Sequence, residues 1–219
     1  GAKNRTPPAH VTDIVRFMNH LLGLDPISYA ESDPADRMQA FLALFQFLAF
    51  DAVWASAVAG GAGGWPWLGT LPAILLLGLH LFLSRTVLWA ELRLVLAVAV
   101  FGILLETGFV GAGLLTFAGS PVLGFLPPIW VWALWLGFAS LPNGSLTWLQ
   151  GRTGLQMLLG LIFGPLAYWT GAKMGAATMP GTGALVIIGL AWALAFPVIM
   201  MLAAAISPRP RAAAHRPRR

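Results

Sequence analysis

The sequence predicts an all-α membrane protein with six transmembrane helices and both termini in the cytoplasm. Three observations support this fold class. Charged residues make up 10% of the 219 residues and hydrophobic residues 58%, whereas a soluble domain carries about 25% charged residues. Apolar stretches recur between residues 41 and 206. The basic residues between and beyond these stretches fall almost entirely into segments that six spans place on one side.

The composition excludes several kinds of functional site. The chain has no cysteine, so disulfides, thiolate nucleophiles, cysteine zinc sites and iron–sulfur clusters cannot form. One of the four histidines, His80, falls in a predicted span, and a metal site needs three or four converging ligands. We therefore expect no metal ion and no cofactor. The basic tail at residues 208–219 lacks interleaved aromatic residues, so no nucleic-acid partner is expected.

Six segments are apolar enough to be transmembrane spans, given that about 20 residues cross a bilayer core. The predicted spans are residues 38–59, 67–83, 92–115, 128–149, 153–168 and 184–206. Local signals agree with these positions. Asp33-Pro34 supplies an N-cap and a proline at the first helical position, and Pro127-Pro128 introduces span four.

The distribution of basic residues predicts the orientation. Six spans place twelve of the thirteen Lys and Arg residues on the side of the two termini and leave Lys173 on the opposite side. Basic residues are retained on the cytoplasmic side during insertion, so both termini should be cytoplasmic.

The spans divide the chain into three segments. We expect residues 1–37 to form a cytoplasmic segment, residues 38–206 the six-helix transmembrane domain, and residues 207–219 a basic disordered tail. Apolar residues at helical spacing in the first segment predict an amphipathic surface helix. They are Val11, Ile14, Val15, Met18, Leu21 and Leu22. The alternative is that this helix docks onto a partner subunit.

A stripe of small residues in span five predicts close helix packing. Gly160, Gly164, Ala167, Gly171 and Gly175 are spaced by three or four positions, which places them on one helix face. Lipid supplies no hydrophobic drive between helices, so small residues matter because they allow close backbone approach. We expect span five to be the central helix of the bundle. A homodimer seam is the alternative.

Span four contains Leu141-Pro142-Asn143-Gly144, which should interrupt the helix. The uninterrupted stretch at residues 128–141 rises ~21 Å, which is less than the ~30 Å of a bilayer core. Either the chain breaks within the membrane or the bundle is thin at this point. Irregular backbone at that depth requires a polar cavity or a cover of protein.

Two acidic residues, Asp51 in span one and Glu106 in span three, lie at similar predicted depths. A charged side chain at the bilayer centre costs roughly 2.5–3.5 kcal/mol, so each acid requires a partner, water or a bound proton. One hypothesis is that the two acids form a proton relay. The alternative is two protonated acids that each bond to nearby backbone or hydroxyl groups.

A second set of polar residues is predicted near the cytoplasmic ends of the spans. The set comprises Gln46, His80, Arg85, Glu91, Asn143 and Ser145. It combines donors, acceptors and an imidazole, and is a candidate site for a lipid or other ligand. His80, Glu91 and Asn143 are the catalytic candidates, with His80 and Glu91 as acid and base and Arg85 as an anion clamp. The alternative is that these residues cap helices and solvate the interface.

Several short motifs, taken in order along the chain, resemble a bacterial family of polytopic inner-membrane proteins classified as a domain of unknown function, DUF2878. The motifs are Phe45-Gln46, Pro66-Trp67-Leu68-Gly69, His80, Glu91-Leu92, Leu134-Trp135 with Phe138, Asn143-x-Ser145-Leu146-x-Trp148, and Gly164-Pro165-Leu166-Ala167-Tyr168-Trp169. They fall within residues 38–206. The chain departs from the family pattern at Gly144, where histidine is usual, at Glu106, where aspartate is typical, and at Asp51.

The resemblance implies a multi-pass protein of the bacterial inner membrane, surrounded by the lipid bilayer and often encoded beside genes for fatty-acid modification. It implies no activity. We therefore expect a non-catalytic helper or subunit of a lipid-related assembly, with a membrane-protein partner or as a homo-oligomer. Two alternatives stay open. One is a lipid-modifying enzyme that uses the polar set around His80, and the other is a small proton-coupled transporter that uses Asp51 and Glu106.

Overall fold

The computed structural model describes residues 34–207 of the chain. The predicted amphipathic helix and the basic tail from residue 208 onward lie outside the described residues. The chain divides into two compact units, one up to Phe41 and one from Leu42 onward. The described part of the first unit is the beginning of a helix, and the contacts reported below belong to the second unit.

Residues 34–207 form six α-helices and a two-stranded sheet, which confirms the predicted all-α class. The helices are α1 (Pro34–Gly63), α2 (Thr70–Leu83), α3 (Leu88–Gly111), α4 (Ile129–Phe138), α5 (Thr153–Lys173) and α6 (Thr182–Ile206). The 3₁₀ helices Arg85–Val87 and Thr147–Leu149 precede α3 and α5. The strands are β1 (Thr116–Phe117) and β2 (Ala177–Thr178). Each predicted span corresponds to one helix.

Four of the helices in residues 34–207 are long and apolar enough to cross a membrane: α1, α3 with its preceding 3₁₀ turn, α5 and α6. The other two, α2 and α4, have 14 and 10 residues. Many large apolar side chains point away from the bundle, including Leu75 and Trp89, which are 74% and 75% exposed. Soluble proteins do not expose apolar surface on this scale, so the fold indicates a membrane protein.

The structure has the predicted interruption of span four, which begins three residues before the expected end of the uninterrupted stretch at residue 141. The helix ends at Phe138, and the chain continues through turns to the second 3₁₀ helix. Pro142 explains the break, because it lacks the N–H that would bond to the Phe138 carbonyl in a continuous helix.

Glycines set the ends of α3 and α5, which also differ from the predicted spans. Span three was expected at residues 92–115, but the helix begins at Leu88 and ends at Gly111, followed by Gly113 with a φ of +70°. Span five was expected to end at Tyr168, but the helix continues to Lys173, and Gly175 follows with a φ of +87°. Glycine adopts this left-handed conformation without strain, so it ends a helix more effectively than a change in hydropathy does.

α5 packs along α6, but it is not the central helix that the small-residue stripe predicted. Gly160 and Gly164 lie so close to Trp192 of α6 that a Cβ at either position would overlap that residue. All four of these stripe positions, including Ala167 and Gly171, line a cavity. Four of the 21 residues of α5 are buried. Small residues permit close approach, but they do not specify how many neighbours a helix has.

α4 is the central element instead. It packs against α2 and α3, and half of its ten residues are buried. The ring of Trp135 lies across α3 at Gly102, where a Cβ would overlap the ring. The same ring stacks on Trp192 of α6, with centroids 5.6 Å apart and planes 9° apart. Trp135 therefore joins α3 to α6.

The sheet connects two loops at one end of the bundle. β1 pairs antiparallel with β2, with Thr116 opposite Thr178 and Phe117 opposite Ala177. The indole of Trp130, in the first turn of α4, donates a hydrogen bond to the carbonyl of Ala118 at 2.9 Å. These contacts attach the α3–α4 loop to both the α5–α6 loop and the start of α4.

Substituting Gly102 by alanine should destabilise the protein by about 1–3 kcal/mol, the usual cost of overpacking a core. The added methyl group overlaps Trp135 and forces its ring away from α3. Gly108→Ala is the matched control on the same helix, because nothing lies within 4 Å of its added methyl group. Alanine at that position should be neutral or stabilising. Thermal unfolding in one detergent measures both variants, and equal midpoints would contradict the role assigned to Gly102.

Candidate functional site

Polar side chains from distant parts of the chain meet at the end of the bundle opposite the sheet. We call Gln46, His80, Glu91, Asn143 and Ser207 the polar network. They come from α1, α2, α3, the α4–α5 connection and the residue after α6. Gln46 is half-buried, and the other four are at most 5% exposed. The network therefore lies inside the bundle.

The amide of Gln46 is oriented by the backbone of the α4–α5 connection. Its Oε1 accepts a hydrogen bond from the N–H of Ser145 at 3.0 Å, and its Nε2 donates to the carbonyl of Ser140 at 3.0 Å. A backbone N–H donates and a carbonyl accepts, so these contacts identify which terminal atom of the Gln46 amide is the oxygen and which is the nitrogen. Gln46 thereby attaches α1 to the break that follows α4.

His80 lies between Gln46 and Glu91. Gln46 Nε2 is 3.2 Å from His80 Nδ1, and His80 Nε2 is 3.0 Å from Glu91 Oε2. Because Gln46 Nε2 is a donor, Nδ1 must accept. The ring in this arrangement is therefore a neutral imidazole that carries its proton on Nε2 and donates it to Glu91.

Glu91 is the central acceptor of the network. In addition to the contact with His80, its Oε1 accepts hydrogen bonds from Asn143 Nδ2 at 3.0 Å and from Ser207 Oγ at 2.8 Å. Asn143 Nδ2 also donates to the carbonyl of Ser207 at 3.0 Å. Both oxygens of Glu91 thus have donors, which is what a buried carboxylate requires.

Most of the predicted polar set comes together here, but Arg85 does not. Gln46, His80, Glu91 and Asn143 bond through their side chains, and Ser145 bonds through its backbone N–H. Arg85 is exposed, and its guanidinium lies 5.3 Å from the ring centroid of Phe82.

Sequence reasoning missed Ser207 and Gln150, although both contact the predicted set. Gln150 Nε2 donates to Asn143 Oδ1 at 3.0 Å. Ser207 is a polar residue directly after the last apolar span, which is a visible signal. Nothing in the chain order links it to Glu91, however, because the two residues are 116 positions apart.

A separate cavity of about 630 Å³ lies mainly between α1, α4, α5 and α6. Its walls are largely aromatic and include Phe50, Trp54, Trp130, Trp135, Phe138 and Trp192. Among the described residues that line it, none belongs to the polar network. The two sites are therefore distinct.

The helices α1 and α5 form two sides of the cavity and approach each other at its sheet end. At the sheet end, a Cβ on Gly171 of α5 would lie 4.0 Å from Val58 of α1. At the other end, Gln46 attaches α1 to the α4–α5 connection rather than to α5. Phe47 of α1 and Phe163 of α5 line the cavity while staying 44% and 57% exposed. The cavity therefore opens sideways between these helices.

Glu106 of α3 is a buried acid on the cavity wall, only 4% exposed. Its Oε1 accepts hydrogen bonds from the hydroxyl of Tyr168 at 2.5 Å and from Trp135 Nε1 at 3.2 Å. The Tyr168 hydroxyl accepts in turn from Trp192 Nε1 at 3.3 Å. Glu106 Oε2 has no hydrogen-bond partner among the described residues. Oε1 of Glu106 therefore has two hydrogen-bond donors, and Oε2 has none among the described residues.

Asp51 lines the same cavity from α1 and is exposed. The structure therefore places both predicted proton-relay acids on one cavity. Sequence reasoning missed Tyr168, Trp135 and Trp192, which surround Glu106. The one available signal is that Tyr168, one of two tyrosines in the chain, falls in an apolar span.

No group of three or more His, Cys, Asp or Glu side chains within the described residues is arranged to hold a metal ion.

The fold and these two sites define an all-helical protein with the apolar helices of a membrane protein, a buried polar network and an aromatic cavity. The chain belongs to the family described as protein of unknown function, DUF2878, whose sequence profile matches residues 43–198. The resemblance found in the sequence motifs is confirmed. The match includes every residue of the two sites named above except Ser207. No curated protein and no solved structure matches the chain.

Replacing Glu91 by leucine should destabilise the protein by about 3 kcal/mol or more, since each buried donor left without an acceptor costs about 1–3 kcal/mol. The buried donors of His80, Asn143 and Ser207 lose their acceptor. Ser207→Ala is the graded comparison, because it removes one donor and should cost about 1 kcal/mol. Thermal unfolding in the same detergent compares the two variants. A smaller loss for the Glu91 variant would contradict its central place in the network.

Proposed function

We propose that this protein binds an amphiphilic molecule taken from the bilayer, without changing it chemically, as a helper or subunit of a lipid-related assembly in the bacterial inner membrane. The observation that carries this proposal is the aromatic cavity that opens between α1 and α5 at Phe47 and Phe163.

The size and chemistry of the cavity fit such a ligand. Pockets for small molecules generally enclose about 300–1,000 Å³, and this cavity has about 630 Å³. Its walls are almost entirely apolar, and apolar cavities take up apolar groups in preference to water. The sideways opening admits a molecule directly from the surrounding lipid.

The polar network favours a non-catalytic role. The side-chain nitrogens of His80 and the oxygens of Glu91 are engaged with protein groups. An acid–base catalyst must reach the proton that it transfers, yet neither residue is among the described residues that line the cavity. The arrangement of His80 and Glu91 is explained by a structural role, in which they attach the helices to one another.

The transporter is the second candidate, because a specific observation favours it. Asp51 and Glu106 line one cavity, and acids within a membrane are characteristic of proton-coupled pathways. The lipid-modifying enzyme has less support. It requires Arg85 to join His80 and Glu91. The side chain of Arg85 is instead exposed, and its guanidinium lies beside the ring of Phe82.

The proposed orientation can be tested by cysteine labelling, because the chain has no cysteine of its own. Thr86 lies at the polar-network end and Ser120 follows β1 at the sheet end, and both are exposed. If the polar-network end is cytoplasmic, a membrane-impermeant maleimide should label the Ser120→Cys variant in intact cells. The Thr86→Cys variant should react only after permeabilisation. The opposite pattern would overturn the orientation.

Filling the cavity should abolish ligand binding. Ala167 is half-buried on the cavity wall, so Ala167→Phe places a ring in the space that the ligand would occupy. Mass spectrometry of molecules that co-purify in mild detergent should show a species enriched with the wild type and depleted at least about tenfold in the variant, as expected when 1.4 kcal/mol or more of binding energy is lost.

Ala204→Phe is the matched control, since Ala204 is an exposed position on α6 and is not among the described cavity-lining residues. It should retain the enriched species. If all three proteins carry only bulk lipid, or if Ala167→Phe retains the species, the cavity is not the binding site and the proposal fails.

A further inference from the structure

We propose that the cavity selects a lipophilic cation, meaning a molecule in which a positive charge is attached to apolar or aromatic groups. This inference rests on the proposed function, because it names the chemical class of the ligand that the cavity would take.

The unsatisfied oxygen of Glu106 is the first observation. Oε1 already accepts from Tyr168 and Trp135, so the position of the carboxyl group is determined by the protein. Oε2 is left without a partner among the described residues, in a side chain that is 4% exposed. A buried carboxylate without a partner is costly, and a cation within the cavity would relieve that cost.

The aromatic walls are the second observation. Trp135 and Trp192 stack on each other beside Glu106, and Trp54 and Phe138 line the same space. The faces of aromatic rings attract cations, tryptophan most strongly, and the attraction grows when the cation is desolvated. Rings and an acid together are the means by which proteins bind organic cations that cannot be fully hydrated.

The balance of charge is the third observation. Asp51 and Glu106 both line the cavity, and its described lining residues include no Lys, Arg or His. Asp51 is exposed on α1, the helix that forms one side of the opening. A cation entering between α1 and α5 would therefore meet the exposed acid and then the buried one. An anion would meet no complementary charge on the described walls.

A neutral ligand with a hydroxyl group is the main competing occupant, because a hydroxyl can also bond to Glu106 Oε2. Such a ligand would leave Asp51 without a function. It would also gain less binding energy from the many aromatic rings than a cation would. The two acids on one aromatic cavity favour the cation.

The test compares two probes of the same shape and opposite charge, tetraphenylphosphonium and tetraphenylborate. Quenching of tryptophan fluorescence reports binding of each to the purified full-length protein in one neutral detergent. Tetraphenylphosphonium should bind the wild type, and Glu106→Gln and Asp51→Asn should each weaken that binding by about tenfold, the effect of losing roughly one charged contact. Tetraphenylborate measures partitioning into the micelle, so its signal should be unchanged in both variants.

Equal affinity of the wild type and the Glu106→Gln variant for tetraphenylphosphonium would overturn the inference. If Glu106→Gln does not fold, as judged by gel filtration, Asp51→Asn carries the comparison, because its side chain is exposed. Ala167→Phe separates the two proposals. If a neutral species still co-purifies and is lost in that variant while neither acid affects the phosphonium probe, the cavity is a lipid site without selectivity for cations. The proposed function then stands alone.

Discussion

The α4 helix is too short to cross a bilayer. The rest of the structure depends on how the backbone groups that follow this helix are hydrogen-bonded. Its ten residues rise about 15 Å, roughly half of a hydrocarbon core. Backbone beyond Phe138 therefore needs partners within the protein. Gln46 of α1 bonds to the carbonyl of Ser140 and to the N–H of Ser145, and Glu91 of α3 bonds to Asn143. The side chain of Gln46 thus replaces backbone hydrogen bonds that a longer helix would make within itself, while Glu91 holds the side chain of Asn143.

The same arrangement explains why a cavity is present. Gln46 draws one end of α1 toward the α4–α5 connection, while α1 and α5 approach each other at the sheet end. The space between them is left to aromatic side chains, among them Trp135, which also lies between α3 and α6. The two polar clusters then differ in one respect. Both oxygens of Glu91 accept hydrogen bonds from the protein, whereas Oε2 of Glu106 has no partner among the described residues.

Much of the helical architecture could be predicted, because apolar runs, prolines and glycines act over a few residues. Pro142 predicted the break in span four, and similar depth brought His80, Glu91 and Asn143 into one candidate set. Depth does not specify which face of a helix a residue occupies, so the partners of Glu106 were not predictable. Arg85 shares the depth of the polar set but faces outward. The small residues of α5 were misleading because a stripe of glycines permits one close contact without making its helix central.

The place of Ser207 in the polar network bears on how the protein is assembled. Helices enter the membrane in the order of synthesis, so Glu91 is inserted well before Ser207, which follows it by 116 positions. Until α6 is complete, Glu91 lacks the Ser207 hydroxyl, and Asn143 lacks the Ser207 carbonyl. The polar network that joins the first four helices is therefore completed only after α6 has been synthesised. A chain halted before that point would leave the buried carboxyl of Glu91 with fewer donors than it has in the finished fold.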